Sequence, residues 1–229
     1  MTICIAALAE DGARVVLVAD QLTTLDFCFG VESPDIPKIH MVDRDAAILT
    51  AGNFRESHEI VRIARQTWLT NKAGEFSEVV RQTYRDFRLM KAEQAHLQPI
   101  GLTLESFTKH QSDLQPELVG RLSEKMASFD LGVHLIAVNN SDAGCRIALI
   151  GNPGILHEMT NVGYACIGEG AGMATYCILD NGHSKKMSIA EVKAIALQSK
   201  AKSEKVPSVG PATTVIEFPA SPAPAEGTS

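Results

Sequence analysis

The second residue of the chain is a threonine whose hydroxyl could serve as a nucleophile. Met1 precedes this small residue, so we expect removal of the initiator methionine to leave Thr2 with a free α-amine. An α-amine has a reference pKa of about 7.7–8.0, which suits a general base near neutral pH. Because the hydroxyl and the amine would belong to one residue, the base would lie within one water of its target. Many chains begin Met-Thr without chemical purpose, so the residues around Thr2 must decide.

Three further residues stand where strands are predicted to begin or end, and each could assist such a threonine. Asp20 ends the apolar run VVLVAD, which follows the first run, TICIAAL, through the turn sequence AEDGA. In an antiparallel hairpin Asp20 would therefore return to the start of the first strand, near Thr2. Lys38 opens the run PKIHMV, where its charge would favour the ionised hydroxyl, and Gly52 ends TAG, where its amide would face a developing oxyanion. Taken singly, each residue also fits an ordinary strand end or turn.

The spacing of these residues resembles the proteasome β-subunit superfamily of N-terminal-nucleophile hydrolases, including its bacterial proteasome-like relatives. The positions that match the family pattern are Thr2, Ala19-Asp20, Thr24, Lys38-Ile39 and Ala51-Gly52. The resemblance implies that Thr2 is both nucleophile and base and that Asp20 and Lys38 are the orienting charges. It further implies that Gly52 supplies the oxyanion amide and that Thr24 lies on a strand that pairs with the substrate backbone. The match is clear over roughly residues 2–65 and looser beyond them.

The chain departs from the family pattern at positions that would support the primary set. Leu22 stands where an arginine is usual, and Glu169 in GEGAG stands where a serine hydroxyl would be. Ser208 in KVPSVG matches a serine of the family, but Lys205 replaces the aspartate before it, and the neighbouring Glu204 could compensate. Glu169 and Ser208 are therefore candidates for a supporting role.

The resemblance implies peptide-bond hydrolysis by acyl transfer to Thr2, on a peptide or an unfolded protein, without a metal or an organic cofactor. It also implies a homo-oligomer and leaves open whether a regulatory ATPase feeds it. Two alternatives remain: an inactive structural or binding subunit of a proteasome-like assembly, and an amidase or acyl transferase on the same fold. The glycines of GEGAG do not complete the dinucleotide motif G-x-G-x-x-G, and they fit a tight turn instead.

The secondary-structure elements that must position these residues follow an order along the chain: a region rich in strands, a helical region, a second region rich in strands and a mixed region. Amphipathic helices are predicted over 53–74 and 75–97, two shorter helical pieces over 102–130, and later helices over 172–182 and 188–203. Two antiparallel sheets interrupted by helices indicate an α+β protein, which we predict to be a four-layer αββα sandwich with an extended central helical block. Residues 1–218 are assigned to this single domain, and 219–229 to a disordered Pro/Ala-rich tail.

Composition limits the functional classes further. Hydrophobic residues make up 45% of the chain and the formal net charge is −6, which argues against a nucleic acid or an anionic membrane as partner. No apolar run approaches the roughly 20 residues that span a bilayer, and the start of the chain lacks the features of a secretory signal. Five scattered cysteines fit reduced thiols, so we expect a cytoplasmic protein. The dispersed histidines form no metal-binding motif.

Overall fold

The computed structural model describes residues 2–25, 29–33, 35–72 and 74–219. The predicted tail lies outside these residues except for Pro219, and so does Cys28. The strands within them are β1 Cys4–Ala9, β2 Arg14–Asp20, β3 Leu22–Leu25, β4 Phe29–Glu32, β5 Ile39–Met41, β6 Ala46–Gly52, β7 Val133–Ser141, β8 Gly144–Gly151, β9 Ile155–Glu158, β10 Tyr164–Ile167 and β11 Thr213–Phe218. The α-helices are α1 Phe54–Thr70, α2 Phe76–His96, α3 Leu104–Lys109, α4 Pro116–Ser128, α5 Ala171–Asp180 and α6 Ile189–Ser203.

The strands form two main antiparallel sheets and a small ribbon. The first sheet has the order β10-β1-β2-β11, the second has the order β5-β6-β7-β8-β9, and β3 pairs with β4 in the ribbon. The α+β class predicted from the sequence is therefore confirmed. The β-branched and apolar residues of ILHEMTNVGYACIG, 155–168, predict one strand. That prediction is wrong as a single element, because β9 joins the second sheet and β10 joins the first.

The β1–β2 hairpin brings the start of the chain to the end of β2. Its turn, Glu10–Gly12, carries the positive φ angles that tight reversals need, with glycine at the third position. The register then sets Cys4 opposite Ala19, so the residue before β1 lies beside the last residue of β2. The AEDGA turn predicted from the sequence is thus present, and it fixes which two strand ends meet.

Both faces of the first sheet are buried, which explains why β1 is apolar along its whole length. Successive side chains of a strand point to opposite faces, and alternate residues of β1 accordingly enter different clusters. Cys4, Ala6 and Leu8 pack in a cluster that also contains Leu49 of β6 and Ile136 of β7. This cluster joins the two main sheets.

The remaining sheet faces are covered by helices. Ile5 of β1 packs in a cluster with Val192 of α6 and residues of α5, and Ile48 of β6 packs in another with Tyr84 of α2 and residues of α1. The buried Tyr84 hydroxyl donates to the carbonyl oxygen of Val133, 3.0 Å away, which ties α2 to the start of β7. The strand ends that surround Thr2 are thus held by packing on both faces.

The central helical block lies beyond α2. It has its own small cluster, built on Leu97, Phe107 and Leu122, and its α3 begins with a capping box. Arg88 of α2 donates to the carbonyl oxygen of Phe129 at 3.0 Å, just after α4. The two short helical pieces predicted over 102–130 are therefore present as α3 and α4.

Two general properties of the described residues bear on the expectations above. None of the helices that the structure describes combines the length and the apolar character needed to cross a bilayer. The four described cysteines, Cys4, Cys145, Cys166 and Cys177, are free thiols.

Candidate active site

Thr2 lies two residues before the first residue of β1 and is almost completely buried. Its side chain and backbone are enclosed by the turn between β10 and α5, where the Gly170 amide donates to the Thr2 carbonyl oxygen at 3.4 Å. Gly168 approaches Thr2 more closely still, because a Cβ atom there would lie 2.1 Å from the same oxygen. The GEGAG segment thus does what the sequence indicated, which is to form a tight turn, and that turn fixes the position of Thr2.

This close approach gives a testable prediction. Gly168 has φ +98°, so Gly168→Ala adds both a steric clash with Thr2 and backbone strain, and we expect it to lower the free energy of unfolding by about 2–4 kcal/mol. Gly172→Ala is the matched control, because a Cβ atom at Gly172 would meet nothing within 4 Å. Urea denaturation of the two variants measures the difference, and equal stabilities would contradict the described packing.

Asp20 is the residue around which the site is organised. One carboxylate oxygen, Oδ1, accepts hydrogen bonds from Thr2 Oγ1 at 2.7 Å, from the Ile3 amide at 2.9 Å and from Lys38 Nζ at 2.8 Å. The Asp20 side chain has no exposed surface and that of Lys38 is 9% exposed. A buried charge is tolerated when it is paired and hydrogen-bonded, and the Asp20–Lys38 ion pair meets both conditions. Asp20 is therefore in direct contact with both the nucleophile candidate and Lys38.

The second oxygen of Asp20 anchors the loops on either side of the site. Asp20 Oδ2 accepts from the Leu22 amide and from the Gly210 amide, each at 3.2 Å. Lys38 Nζ also donates to the Leu22 carbonyl oxygen at 2.6 Å. Leu22 therefore takes part in the site through its backbone, and these contacts do not depend on its side chain.

Gly52 ends β6 beside Thr2, and Asn53 follows it as the N-cap of α1. Gly52 has φ +99°, and a Cβ atom there would lie 1.9 Å from the Gly132 carbonyl oxygen, so only glycine fits. Asn53 Oδ1 accepts from the Glu56 amide at 3.4 Å, which begins the helix directly after the strand. Gly52 thus lies at a strand-to-helix turn, as the sequence predicts.

Two cavities meet at Thr2, and Gly52 lines both of them. The smaller, about 40 Å³, is also lined by Thr23, Lys38, Thr50 and Ser57. The larger, about 550 Å³, is also lined by His134, Leu149, Cys166 and Glu169. A third cavity of about 740 Å³ lies between α1 and α2 and does not include Thr2. We place the candidate site at the two cavities that share Thr2, because a nucleophile and a buried ion pair coincide there.

Cys166 is the other nucleophilic side chain in the larger cavity. Burial raises the pKa of its thiol to about 12, so the thiol is protonated at neutral pH. The thiolate is the reactive form of cysteine, and Cys166 is consequently a weak competitor of Thr2.

The two predicted supporting residues contact each other. Ser208 Oγ donates to Glu169 Oε2 at 2.6 Å, and Glu169 lines the larger cavity together with Thr2. The carboxylate of Glu204 accepts a hydrogen bond from Lys200 Nζ at 2.7 Å. The side chain of Lys205 is exposed. The compensation by Glu204 and the supporting role of Glu169 and Ser208 both stay predictions.

Thr24 lies on β3, where it pairs with Gly30 of β4. Its side chain is outside the part of the chain that the structure describes, so its predicted contact with substrate stays a prediction. The preceding residue of the same strand, Thr23, lines the smaller cavity beside Thr2.

The C-terminal half of α6 supplies contacts that sequence reasoning missed. The buried Ser203 hydroxyl donates to the Gly170 carbonyl oxygen at 3.1 Å, which holds the turn over Thr2. Lys200, itself buried, donates to the Pro211 carbonyl oxygen at 2.6 Å, next to the Gly210 amide that binds Asp20. The sequence did contain a sign of these contacts. Lys200 and Ser203 lie on the same buried helical face as Ala196, where polar side chains are uncommon.

Two histidines lie behind the smaller cavity. The rings of His40 and His58 meet edge to face at 4.9 Å, and His40 Nε2 lies 3.4 Å from the hydroxyl of Thr50, which lines that cavity. Burial, and secondarily the neighbouring His58, lowers the pKa of His40 to about 4. Burial also lowers the pKa of His58. Both rings are therefore neutral in the folded protein at pH 7.

The pKa of His40 predicts acid sensitivity. Between its ordinary pKa of 6.5 and its folded value of about 4, the unfolded chain takes up a proton that the folded chain does not. The free energy of unfolding therefore falls as pH is lowered through this window, and His40 contributes no slope above it. We expect His40→Gln to flatten this dependence in urea denaturation at pH 7.0 and 4.5. The exposed His157→Gln is the control, and a slope unchanged by His40→Gln would refute the assignment.

The chain was compared with protein-family models and with curated proteins. No protein-family model matches the chain, and no curated protein matches it significantly. Its function must therefore be inferred from the chemistry around Thr2.

Proposed function

We propose that the protein is a threonine-type N-terminal-nucleophile hydrolase that cleaves peptide bonds through Thr2 after removal of Met1. The observation that carries the proposal is the buried cluster in which Asp20 Oδ1 accepts hydrogen bonds from both Thr2 Oγ1 and Lys38 Nζ. At the edge of a cavity, a hydroxyl and an ammonium group that are both hydrogen-bonded to one carboxylate could serve as a nucleophile and as the charge that stabilises its ionised form. As part of the same proposal, the two sheets and the helices that cover them form the αββα sandwich of that class of enzyme.

Acyl transfer at this site would proceed in two steps. In the first, the free α-amine of Thr2 takes the hydroxyl proton through a water molecule, and Oγ1 bonds to the carbonyl carbon of the substrate. The tetrahedral oxyanion collapses, the C–N bond breaks, and the departing amine takes up the proton. In the second, a water molecule loses a proton to the α-amine and attacks the ester, which releases the acid and restores the Thr2 hydroxyl. The net reaction consumes one water per bond cleaved.

The surrounding residues would each assist a defined part of this reaction. The Lys38 ammonium lies in the same buried cluster as the Thr2 hydroxyl, so its positive charge would stabilise negative charge that develops on Oγ1. Asp20 would hold the hydroxyl and Lys38 in fixed positions through hydrogen bonds to both. Gly52, which lines both cavities, would donate its amide to the oxyanion.

The Glu169–Ser208 pair would support the amine of Thr2. Glu169 lines the larger cavity with Thr2, so a carboxylate stands near the place where the freed amine would lie. A carboxylate there would orient the ammonium form and return it to the neutral base through water. We further propose that the enzyme acts in the cytoplasm as a homo-oligomer on peptides or unfolded proteins.

The proposal is tested by intact-mass measurement after incubation with a peptide epoxyketone, whose two electrophilic carbons need both a hydroxyl and a free amine. We expect loss of Met1 from the purified protein and one adduct, mapped to Thr2. Thr2→Ala should form none, whereas Thr70→Ala, a change at the exposed end of α1, should react normally. Retention of Met1, or no adduct, would refute the hydrolase and favour an inactive structural subunit. An adduct without peptide turnover would favour the amidase or acyl transferase.

A further inference from the structure

Arg88 of α2 is a buried arginine that binds the chain where it leaves α4. The residue is 8% exposed, and its guanidinium donates to the carbonyl oxygens of Met126, Ala127 and Phe129 at 3.0, 2.7 and 3.0 Å. It also donates to Asn152 Oδ1 at 3.0 Å. The last carbonyl groups of a helix lack partners within the helix and attract a cation. Arg88 therefore caps the end of α4 and holds the segment that follows it.

This segment leads to Gly132, which contacts the turn formed by Gly52 and Asn53. Gly132 is the fourth residue after the end of α4, and its amide donates to Asp130 Oδ1 at 2.8 Å. The Gly132 carbonyl oxygen accepts a hydrogen bond from the Asn53 amide at 2.8 Å. The same oxygen would lie 1.9 Å from a Cβ atom at Gly52, so the two backbones are in close contact. A shift of Gly132 would consequently move the turn.

The bond between Asn53 and Gly132 also determines where the Gly52 amide points. Residue pairs of an antiparallel ladder alternate between bonded and non-bonded, so this bond leaves the preceding residue, Gly52, in a non-bonded pair with β7. The Gly52 amide therefore faces the other edge of β6, as does the amide of Thr50, which donates to the Lys38 carbonyl oxygen at 2.9 Å. Lys38 and Gly52 line the smaller cavity together, so the Gly52 amide is directed toward the candidate site.

We propose that Arg88 is a positioning residue for the reaction assigned to Thr2. It holds the carbonyl oxygens at the end of α4, this fixes Gly132, and Gly132 fixes the direction of the Gly52 amide. The inference rests on the proposed function, in which that amide stabilises the oxyanion. The central helical block thereby acts on the chemistry through the end of α4.

The first test is Arg88→Met, which removes the hydrogen-bond donors and keeps the aliphatic stem. Misplacing a catalytic group by about 1 Å can cost about 100-fold in rate, so we expect kcat on a fluorogenic peptide substrate to fall by about 10–100-fold. KM should change by less than about twofold, because the lost interaction is made in the transition state. Arg81→Met, on the same helix, removes a surface ion pair with Glu78 and should leave both constants unchanged.

Two inhibitors separate positioning from a general loss of structure. A peptide aldehyde adds to Thr2 Oγ1 as a hemiacetal whose former carbonyl oxygen lies at the oxyanion position, whereas the corresponding peptide alcohol cannot add. We expect Arg88→Met to weaken aldehyde binding by the factor found for kcat and to leave alcohol binding unchanged. Equal weakening of both would overturn the inference. Val80→Ala removes buried methyl groups from the same helix, and it should leave both affinities unchanged in the folded protein.

Asp130 provides a second variant in which the fold is preserved. Its side chain is exposed, yet Asp130→Ala removes the hydrogen bond to the Gly132 amide, so we expect kcat to fall by about 3–10-fold, the scale of one hydrogen bond. Asp130→Asn keeps an acceptor oxygen and should match the wild type.

If Arg88→Met does not fold, Arg88→Lys takes its place, because lysine keeps the charge and loses the planar fork of donors. A wild-type kcat in the folded Arg88 variant, or in Asp130→Ala, would overturn the inference alone. Absence of both peptide cleavage and aldehyde binding in the wild type would overturn the proposed function, and this inference with it.

Discussion

Replacement of Thr2 by alanine is expected to lower peptide hydrolysis by at least about 10³-fold, because the variant has no hydroxyl to form the acyl ester. The same change removes one hydrogen bond to Asp20, whose Oδ1 keeps those from Ile3 and Lys38. We therefore expect the free energy of unfolding to fall by only about 1–2 kcal/mol. Initial rates on a fluorogenic peptide substrate, together with urea denaturation, measure the two effects separately.

Thr2→Ser is the informative companion variant, since it keeps a hydroxyl and an α-amine on one residue. It should retain measurable turnover and form the epoxyketone adduct, while Thr70→Ala should match the wild type in both measurements. If Thr2→Ala hydrolysed peptides at the wild-type rate, the nucleophile would lie elsewhere or the activity would belong to a contaminant. If Thr2→Ala and Thr2→Ser lost activity and stability equally, Thr2 would be a structural residue.

The meeting of Thr2 and Asp20 could be anticipated because it depends on local geometry. A two-strand hairpin fixes its own register through the turn, so the position of Asp20 at the end of β2 determines its neighbour at the start of β1. Lys38 precedes β5 of the other sheet, and its Nζ nevertheless reaches Asp20. The family resemblance supplied that link, since spacing along the chain does not reveal which sheet a strand joins.

The assignment of strands to sheets beyond the β1–β2 hairpin was harder to predict. Residues 155–168 contain two apolar stretches that the sequence joins into one strand, whereas the structure divides them between sheets at a turn containing Gly163, which has φ +90°. Hydrophobic alternation reports which face of a strand is buried but not which sheet buries it. The contacts of Lys200 and Ser203 with the loops around the site depend on how α6 closes over the first sheet, and that closure has no local sequence signature.

The unpaired hydroxyl of Thr23 illustrates a different limit. A threonine in a short strand is ordinary, because β-branched residues favour strands, so its sequence context gives no indication of function. Only the three-dimensional arrangement shows that the Ser57 hydroxyl is bonded, whereas that of Thr23 has no partner among the residues that the structure describes. The sequence therefore located the candidate nucleophile, whereas the hydrogen-bonding state of the threonine and serine side chains around it could be read only from the structure.

Removal of one partner of the buried Asp20–Lys38 ion pair should destabilise the protein strongly, because it leaves the other charge buried and unpaired. Lys38→Met removes the cation and leaves the Asp20 carboxylate with no exposed surface and no countercharge. Breaking one partner of such a pair costs about 3–5 kcal/mol, so we expect a loss of that size in the free energy of unfolding. Lys72→Met is the matched control, because its ion pair with Asp43 is largely exposed on the lysine side and should contribute less than about 1 kcal/mol.

A double-mutant cycle distinguishes pairing from two independent losses. Asp20→Asn should also destabilise the protein, because its amide nitrogen cannot accept the hydrogen bonds that the carboxylate oxygens receive. The double variant Lys38→Met/Asp20→Asn should lose less than the sum of the two single changes, by about 1–3 kcal/mol, since neither charge is then left unmatched. Additive losses would mean that the two groups act separately, and the ion pair could then not be the element that holds Thr2 ready for reaction. Coupling in stability, together with loss of the Thr2 adduct in both single variants, would tie the charge pair to the chemistry, because a purely structural pair would leave the adduct intact in any variant that still folds.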